Sequence, residues 1–227
     1  MLDPADFVSL LKSEEINFFA GVPDSLLKNF LSYLLNEMSE KEHVVCANEG
    51  SAVALACGYH IATGKTACVY LQNSGLGNAI NPLISLADPL VFKIPILLLV
   101  GYRGEKGTSD EPQHIKQGAI SENLLDALEI PFEILNANSN AAELLSRART
   151  SMESRGGAYV LLVRKNTFSN LDLESGGESN IKSAIDPVLL SREEAIAHIA
   201  ESLPGESIVV ASTGKISREL YEYRKAS

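Results

Sequence analysis

The chain has 227 residues, 45% of them hydrophobic, and a formal net charge of −10. That is enough apolar material for one packed domain and part of another. The acidic balance, with no dense Lys/Arg run, excludes a nucleic-acid footprint, and no apolar stretch reaches the length of a membrane span. Met1 is followed by no signal-peptide pattern, and Cys46, Cys57 and Cys68 lie in apolar contexts. Reduced, buried cysteines in a cytoplasmic protein are therefore expected.

In chain order, strands and helices alternate. A strand over 16–20 leads to a helix over 25–37, a strand over 43–46 to a helix over 48–63, and a strand over 66–71 to a helix over 77–87. A strand over 94–100 is followed by a polar loop and a helix over 121–128. A strand over 132–135, a helix over 139–154 and a strand over 158–163 complete the series. Strands that read as buried on both faces, separated by helices, predict an α/β fold: a parallel sheet of about six strands with helices on both faces.

The first domain is expected over 1–168, a polar linker over 169–188 with a Ser-Gly-Gly-Glu-Ser core, and the beginning of a second, incomplete α/β domain over 189–227. In that last part Ser191 and Glu194 have capping-box spacing ahead of a helix over 191–202, followed by a strand over 207–211 and a helix over 213–223. One strand between two helices cannot bury a core alone.

In an open α/β sheet, ligands sit beyond the carboxyl ends of the strands. Asp24 and Ser25 follow the first strand, and Glu49 follows the second at the mouth of a helix of small residues. Asn73-Ser74-Gly75-Leu76-Gly77 follows the third, and Arg103 follows the fourth, leading into Asp110-Glu111-Pro112-Gln113-His114. All four groups fall at one edge, whereas the other edge carries ordinary solvated material such as Glu40-Lys41-Glu42. Gly64-Lys65-Thr66 is not a phosphate loop: Tyr59 stands where the first glycine belongs, and the stretch runs from helix to strand. Gly75 and Gly77 lack the third glycine of a dinucleotide fingerprint, position 80 being Ile. Asp24 reads equally as a catalytic group and as the N-cap of a Pro-Asp-Ser helix start. His114 stands apart from His43, His60 and His198 by lying in a polar, Pro-containing loop at the active edge.

Gly21-Val22-Pro23-Asp24-Ser25, Asn48-Glu49-Gly50-Ser51-Ala52, Asn73-Ser74-Gly75-Leu76-Gly77-Asn78 and Asp110-Glu111-Pro112-Gln113-His114, in this order and spacing, resemble the phosphonopyruvate decarboxylases. These are thiamine-diphosphate-dependent 2-oxo acid decarboxylases, with the sulfopyruvate decarboxylases as near relatives. The resemblance runs along nearly the whole chain. It implies a pyrimidine-binding N-terminal domain, thiamine diphosphate as cofactor, and Mg²⁺ bound by a second domain. The Gly-Asp-Gly signature of that second domain does not occur in the sequence. The resemblance therefore implies a fragment, inactive alone, with no metal ligand of its own.

By the same resemblance, Glu49 hydrogen-bonds N1′ of the cofactor pyrimidine, and Asp24 and His114 border the reacting carbon. Asn73, Ser74, Gly75 and Gly77 join Glu49 at the cofactor, and Ser25, Arg103, Asp110 and Gln113 at the substrate. The implied reaction is decarboxylation of 3-phosphonopyruvate to phosphonoacetaldehyde, a step of phosphonate biosynthesis. The alternatives are a sulfopyruvate or other 2-oxo acid decarboxylase, and a non-catalytic binding half. The substrate dianion calls for cations, for which Arg103, Lys106 and Lys116 are the nearby candidates, and the glycines of 101–107 would let that loop close. A homodimer or higher homo-oligomer is implied, with Gly50, Ala52, Ala54, Ala56 and Gly58 as the low-bulk contact surface.

Overall fold

Strands β1 (Phe18–Gly21), β2 (His43–Val45), β3 (Ala67–Gln72), β4 (Ile96–Gly101), β5 (Phe132–Leu135) and β6 (Ala158–Val163) pair in one parallel sheet in the order β2-β1-β3-β4-β6-β5. The structure is a computed structural model that describes residues 1–170, 190–209 and 215–226. It divides into two units, Met1–Leu173 and Glu174–Ser227.

The central strands explain the sheet. Cys68, Tyr70, Leu97, Leu99, Tyr159, Leu161 and Val163 enter the core on one face. Ala67, Val69, Leu71, Ile96, Leu98, Val100, Val160 and Leu162 enter the core on the other. Successive side chains alternate across a strand, so a strand covered on both faces is apolar at every position. Each such Leu, Ile or Val contributes about 1.5–3 kcal/mol relative to exposure. Helices α1 (Pro4–Ser13), α2 (Lys28–Glu37) and α6 (Ala141–Arg155) cover the first face. Helices α3 (Glu49–Thr63), α4 (Leu76–Pro82) and α5 (Pro112–Ala127) cover the second.

The strands lie within two residues of their expected bounds, but three helices differ from the sequence reading. Helix α1 was not expected. It starts where the Asp3 carboxylate accepts from the backbone N–H groups of Ala5 and Asp6, with Pro4 in the first turn. Helix α5 begins at Pro112 instead of residue 121, so His114 lies in a helical first turn and not in a loop. Its early turns carry Gln113, Lys116, Gln117 and Gly118, which blur the apolar period. The helix expected over 77–87 ends as α4 at Pro82, and a π turn, Leu83–Ala87, follows. Pro82 lacks the N–H that the regular helical bond needs.

In the second unit, α7 (Arg192–Ser202) opens on the expected capping box of Ser191 and Glu194, and α8 (Lys215–Ala226) follows. Residues 207–209 form no strand, contrary to expectation; 210 and 211 lie outside the described residues. Beyond Asn170, most of the expected linker also lies outside them. No described helix is long and apolar enough to cross a membrane. All three cysteines are free; burial raises the Cys57 thiol to about 11 and pushes Cys68 up further.

Candidate active site

From β1 the chain crosses to β2 on one side, then returns over β1 to β3 on the other. This reversal makes a crevice at the carboxyl ends of β1 and β3, the place where α/β sheets take ligands. Asp24 follows β1, Glu49 opens α3 after β2, and Gln72 ends β3. The same edge carries the short 3-10 turn Asn73–Gly75 and the segment from Arg103 to Asp110.

Glu49 is set by both of its neighbours in the fold. Asn48 caps α3 by accepting from the Ser51 N–H at 2.9 Å, which fixes the helix start. The half-buried Glu49 carboxylate accepts from Asn78 Nδ2 of α4 at 2.8 Å. A Cβ on Gly75 would stand 2.3 Å from Glu49 Oε1, so the carboxylate occupies space that only glycine leaves. Gly77, by contrast, faces open space. The small residues of α3 do not form one surface. Ala52 and Ala56 are buried against the sheet, whereas Ala54 and Gly58 are exposed. Positions two apart on a helix cannot share a face.

A chain of hydrogen bonds spans the crevice. Ser74 Oγ donates to Gln72 Oε1 at 2.6 Å, and Gln72 Nε2 donates to Asp24 Oδ1 at 2.7 Å. The second oxygen, Oδ2, accepts from the Leu26 N–H at 3.1 Å and caps the 3-10 turn Ser25–Leu27. Asp24 is only 4% exposed, and burial raises its pKa against the lowering pull of Gln72, the Leu26 amide and Arg103. The N-cap half of the dual expectation for Asp24 is thus realised. Gln72 was not among the sequence candidates; its sole signal is that it is the one amide side chain of β3, at the strand's carboxyl end.

Asp110 organises the other half of the edge. It accepts from Arg103 Nε at 2.9 Å, Arg103 Nη2 at 2.5 Å, the Gly104 N–H at 2.8 Å and the Glu111 N–H at 2.8 Å. It also pairs with His114 Nδ1 at 3.0 Å. These donors, Arg103 first, hold its carboxyl far below the usual carboxylate range. An ionised carboxylate only accepts, so His114 carries its proton on Nδ1 and, when neutral, keeps a lone pair on Nε2. Arg103 Nη1 reaches Ser25 Oγ at 2.6 Å.

Asn73, expected at the cofactor, is fully buried. Its Nδ2 donates to Arg103 O at 2.8 Å and Ser121 Oγ at 2.9 Å, while its Oδ1 accepts from the Arg103 N–H at 3.2 Å. Its side chain therefore latches the β3 end to the β4 end and to α5, with no donor left for a ligand. Gln113, Lys106 and Lys116 are exposed.

Residues 5–130 match the family described as "Thiamine pyrophosphate enzyme, N-terminal TPP binding domain". The chain belongs to the thiamine pyrophosphate enzymes. Within this family, it is 30% identical to the phosphonopyruvate decarboxylase of Streptomyces viridochromogenes over 233 aligned positions, covering 97% of this chain and 57% of that protein. It is 35% identical to sulfopyruvate decarboxylase subunit alpha of Methanocaldococcus jannaschii, over 63% of this chain and 81% of that one. The benzoylformate decarboxylase of Polynucleobacter necessarius shares the fold, with a TM-score of 0.59 and 20% identity over 88% of this chain and 36% of that chain. The chain spans little more than half the length of the phosphonopyruvate decarboxylases it matches.

The Glu49 carboxyl fills the space that Gly75 leaves, and a carboxyl at this place can share a proton with a ring nitrogen. Among the described residues, no group of three or more His, Cys, Asp or Glu side chains could hold a metal ion.

Proposed function

We propose that this protein is the pyrimidine-binding part of a thiamine-diphosphate- and Mg²⁺-dependent carboxy-lyase that converts 3-phosphonopyruvate to phosphonoacetaldehyde and carbon dioxide. The observation that carries this reading is the Glu49 carboxyl, held by Asn78 beside Gly75 at the mouth of α3. The cofactor, when bound, supplies an electron sink for the pair released with carbon dioxide. Glu49 shares a proton with N1′ of the pyrimidine. His114 takes up a proton at Nε2 and passes it to the carbon that carbon dioxide leaves, while Asp110 on Nδ1 keeps the ring oriented. Ser74, Gln72 and Asp24, linked to one another by hydrogen bonds, stand at the same edge of the sheet.

The metal seat and the diphosphate belong to a further domain, so the 227-residue chain alone is expected to be inactive. A second copy would pack on the outer face of α3, where Ala54 and Gly58 are exposed beside Leu55, 38% exposed, and Ile61, 70% exposed. A second reading, 3-sulfopyruvate as substrate, is favoured by the 35% identity to a sulfopyruvate decarboxylase alpha subunit. The test supplies the diphosphate-binding half, as the rest of the reading frame or as a second chain, and compares both acids. The proposal expects 3-phosphonopyruvate to be consumed fastest and Glu49→Gln to cost about 10²–10⁴ in rate, the usual span for a proton-transfer group. Full activity of Glu49→Gln would end it.

A further inference from the structure

A cavity of about 470 Å³ opens at the carboxyl edge of the sheet, among the segments that follow β1, β4 and β6. Its walls come from Met1 and three segments: Ser25 to Asn29 after β1, Tyr102 to Asp110 after β4, and Lys165 to Asn170 after β6. Its size suits a small ligand. Asn29 Nδ2 donates to Phe168 O and to Asn170 Oδ1, each at 3.3 Å, and so ties the first wall to the third. Thr167 is fully buried, its hydroxyl donating to Arg164 O at 2.7 Å, which fixes the turn beside Lys165.

The charges lining this cavity do not cancel. Arg103 is neutralised by Asp110, and Glu105 by Arg164, at 2.5 Å in each case. Lys28 and Lys165, both exposed, remain, and neither side chain enters an ion pair or hydrogen bond among the described residues. Counting side chains, two cations are left without a counter-charge in a chain whose net charge is −10. Two like charges converge from distant parts of the sequence on one cavity, an arrangement that favours a dianion over water alone. Arg103 still offers unused N–H groups beside Ser25 Oγ. It can orient an oxyanion without supplying net charge.

We infer that this cavity seats a doubly charged tetrahedral oxyanion of the substrate, with Lys28 and Lys165 as its cations and Arg103 and Ser25 as its orienting donors. The inference rests on the decarboxylase reading and adds to it the residues that select a phosphonate. It moves the substrate cations from Lys106 and Lys116, which lie outside the cavity, to Lys28 and Lys165, which line it.

The experiment titrates the 227-residue chain with methylphosphonate, methanesulfonate and acetate at pH 8, following binding by calorimetry and by amide NMR shifts. Methylphosphonate should bind in the millimolar range, ahead of methanesulfonate and acetate, with shifts at residues 25–29, 103–110 and 165–170. Lys28→Met and Lys165→Met should each weaken it about tenfold or more, while Lys28→Arg and Lys165→Arg restore it and Lys106→Met has no effect. Equal affinity in the Lys28→Met/Lys165→Met double variant, no preference among the three anions, or no binding at tens of millimolar would overturn the inference. This binding needs neither cofactor nor Glu49, so the two proposals fail separately. Activity lost in Glu49→Gln with an unchanged KM in the lysine variants refutes the cavity assignment alone. Methylphosphonate binding that depends on the lysines, with Glu49→Gln fully active, refutes the decarboxylase reading alone.

Discussion

Glu49 and Gly75 come from different βα connections and meet so closely that a single methyl group on Gly75 would lie 2.3 Å from the carboxylate oxygen and 2.5 Å from its carbon. The atoms it would strike are the far end of a flexible side chain, so the fold can yield by turning Glu49 away. Gly75→Ala is expected to leave the melting temperature nearly unchanged. It should reduce decarboxylation, with the diphosphate-binding half present, by about the 10²–10⁴ expected of a lost proton-transfer group. Activity within twofold of wild type would show that the position of Glu49 does not matter.

Asp24 makes stability depend on pH in one direction. Its folded pKa lies above the ordinary value, burial being the largest cause. Between an ordinary aspartate value of about 3.9 and that raised value, the folded state binds more protons than the unfolded. Stability from this group is therefore full below the ordinary value and falls as pH rises through the window. Asp24→Asn should flatten that fall, read as the difference between the two melting curves as a function of pH. A constant difference from pH 3 to 8 would exclude Asp24 as its source.

Asp110 acts in the opposite sense. Its pKa is lowered, first by Arg103 and then by His114 and two backbone amides, so its contribution is present above about pH 4 and is lost as pH falls below. At neutral pH, Asp110→Asn should cost about 1–2 kcal/mol once solvent screening is allowed for. The deficit should shrink toward pH 2. His114 would lose the acceptor that fixes its tautomer, so the pH profile of turnover should shift as well. Chemical denaturation at the two pH values, together with the rate profile, measures both effects.

Gly118 tests how the segment after β4 is held. A Cβ there would lie 1.8 Å from Gly104 O, and one on Gly104, itself at φ +67°, would lie 2.0 Å from His114 O. Both obstacles are backbone and cannot rotate aside. Gly118→Ala should cost at least the usual overpacking penalty of about 1–3 kcal/mol, at roughly 2–4 °C of melting temperature per kcal/mol for a unit of this size. An unchanged melting temperature would mean that α5 and the 103–104 segment slide apart freely.

The surroundings of His114 and Asn73 are not legible from neighbouring residues alone. His114 was placed in a loop because Pro112 and four polar or glycine positions mask the apolar period of α5; the structure puts Pro112 at the first helical position, where its missing N–H does no harm. The family resemblance implies Asn73 at the cofactor. Its side chain instead turns inward to Arg103 and Ser121, a choice set by residues far along the chain.

The amino-acid sequence by itself determined the parallel sheet, since continuous apolar runs at β3, β4 and β6 can be satisfied only by cover on both faces. It also determined that Asp24, Glu49, Ser74 and Arg103 share one edge, because every strand of a parallel sheet points the same way. Strand order was beyond it, and with that order went the partners. Only the fold brought Gln72 to Asp24, Asn78 to Glu49 and Asp110 to Arg103, and it gathered Lys28 and Lys165 around one cavity. The physical reason is range. Periodicity and capping act over a few residues and leave their mark locally, whereas which polar groups pair and which keep an unbalanced charge depends on which strands lie side by side.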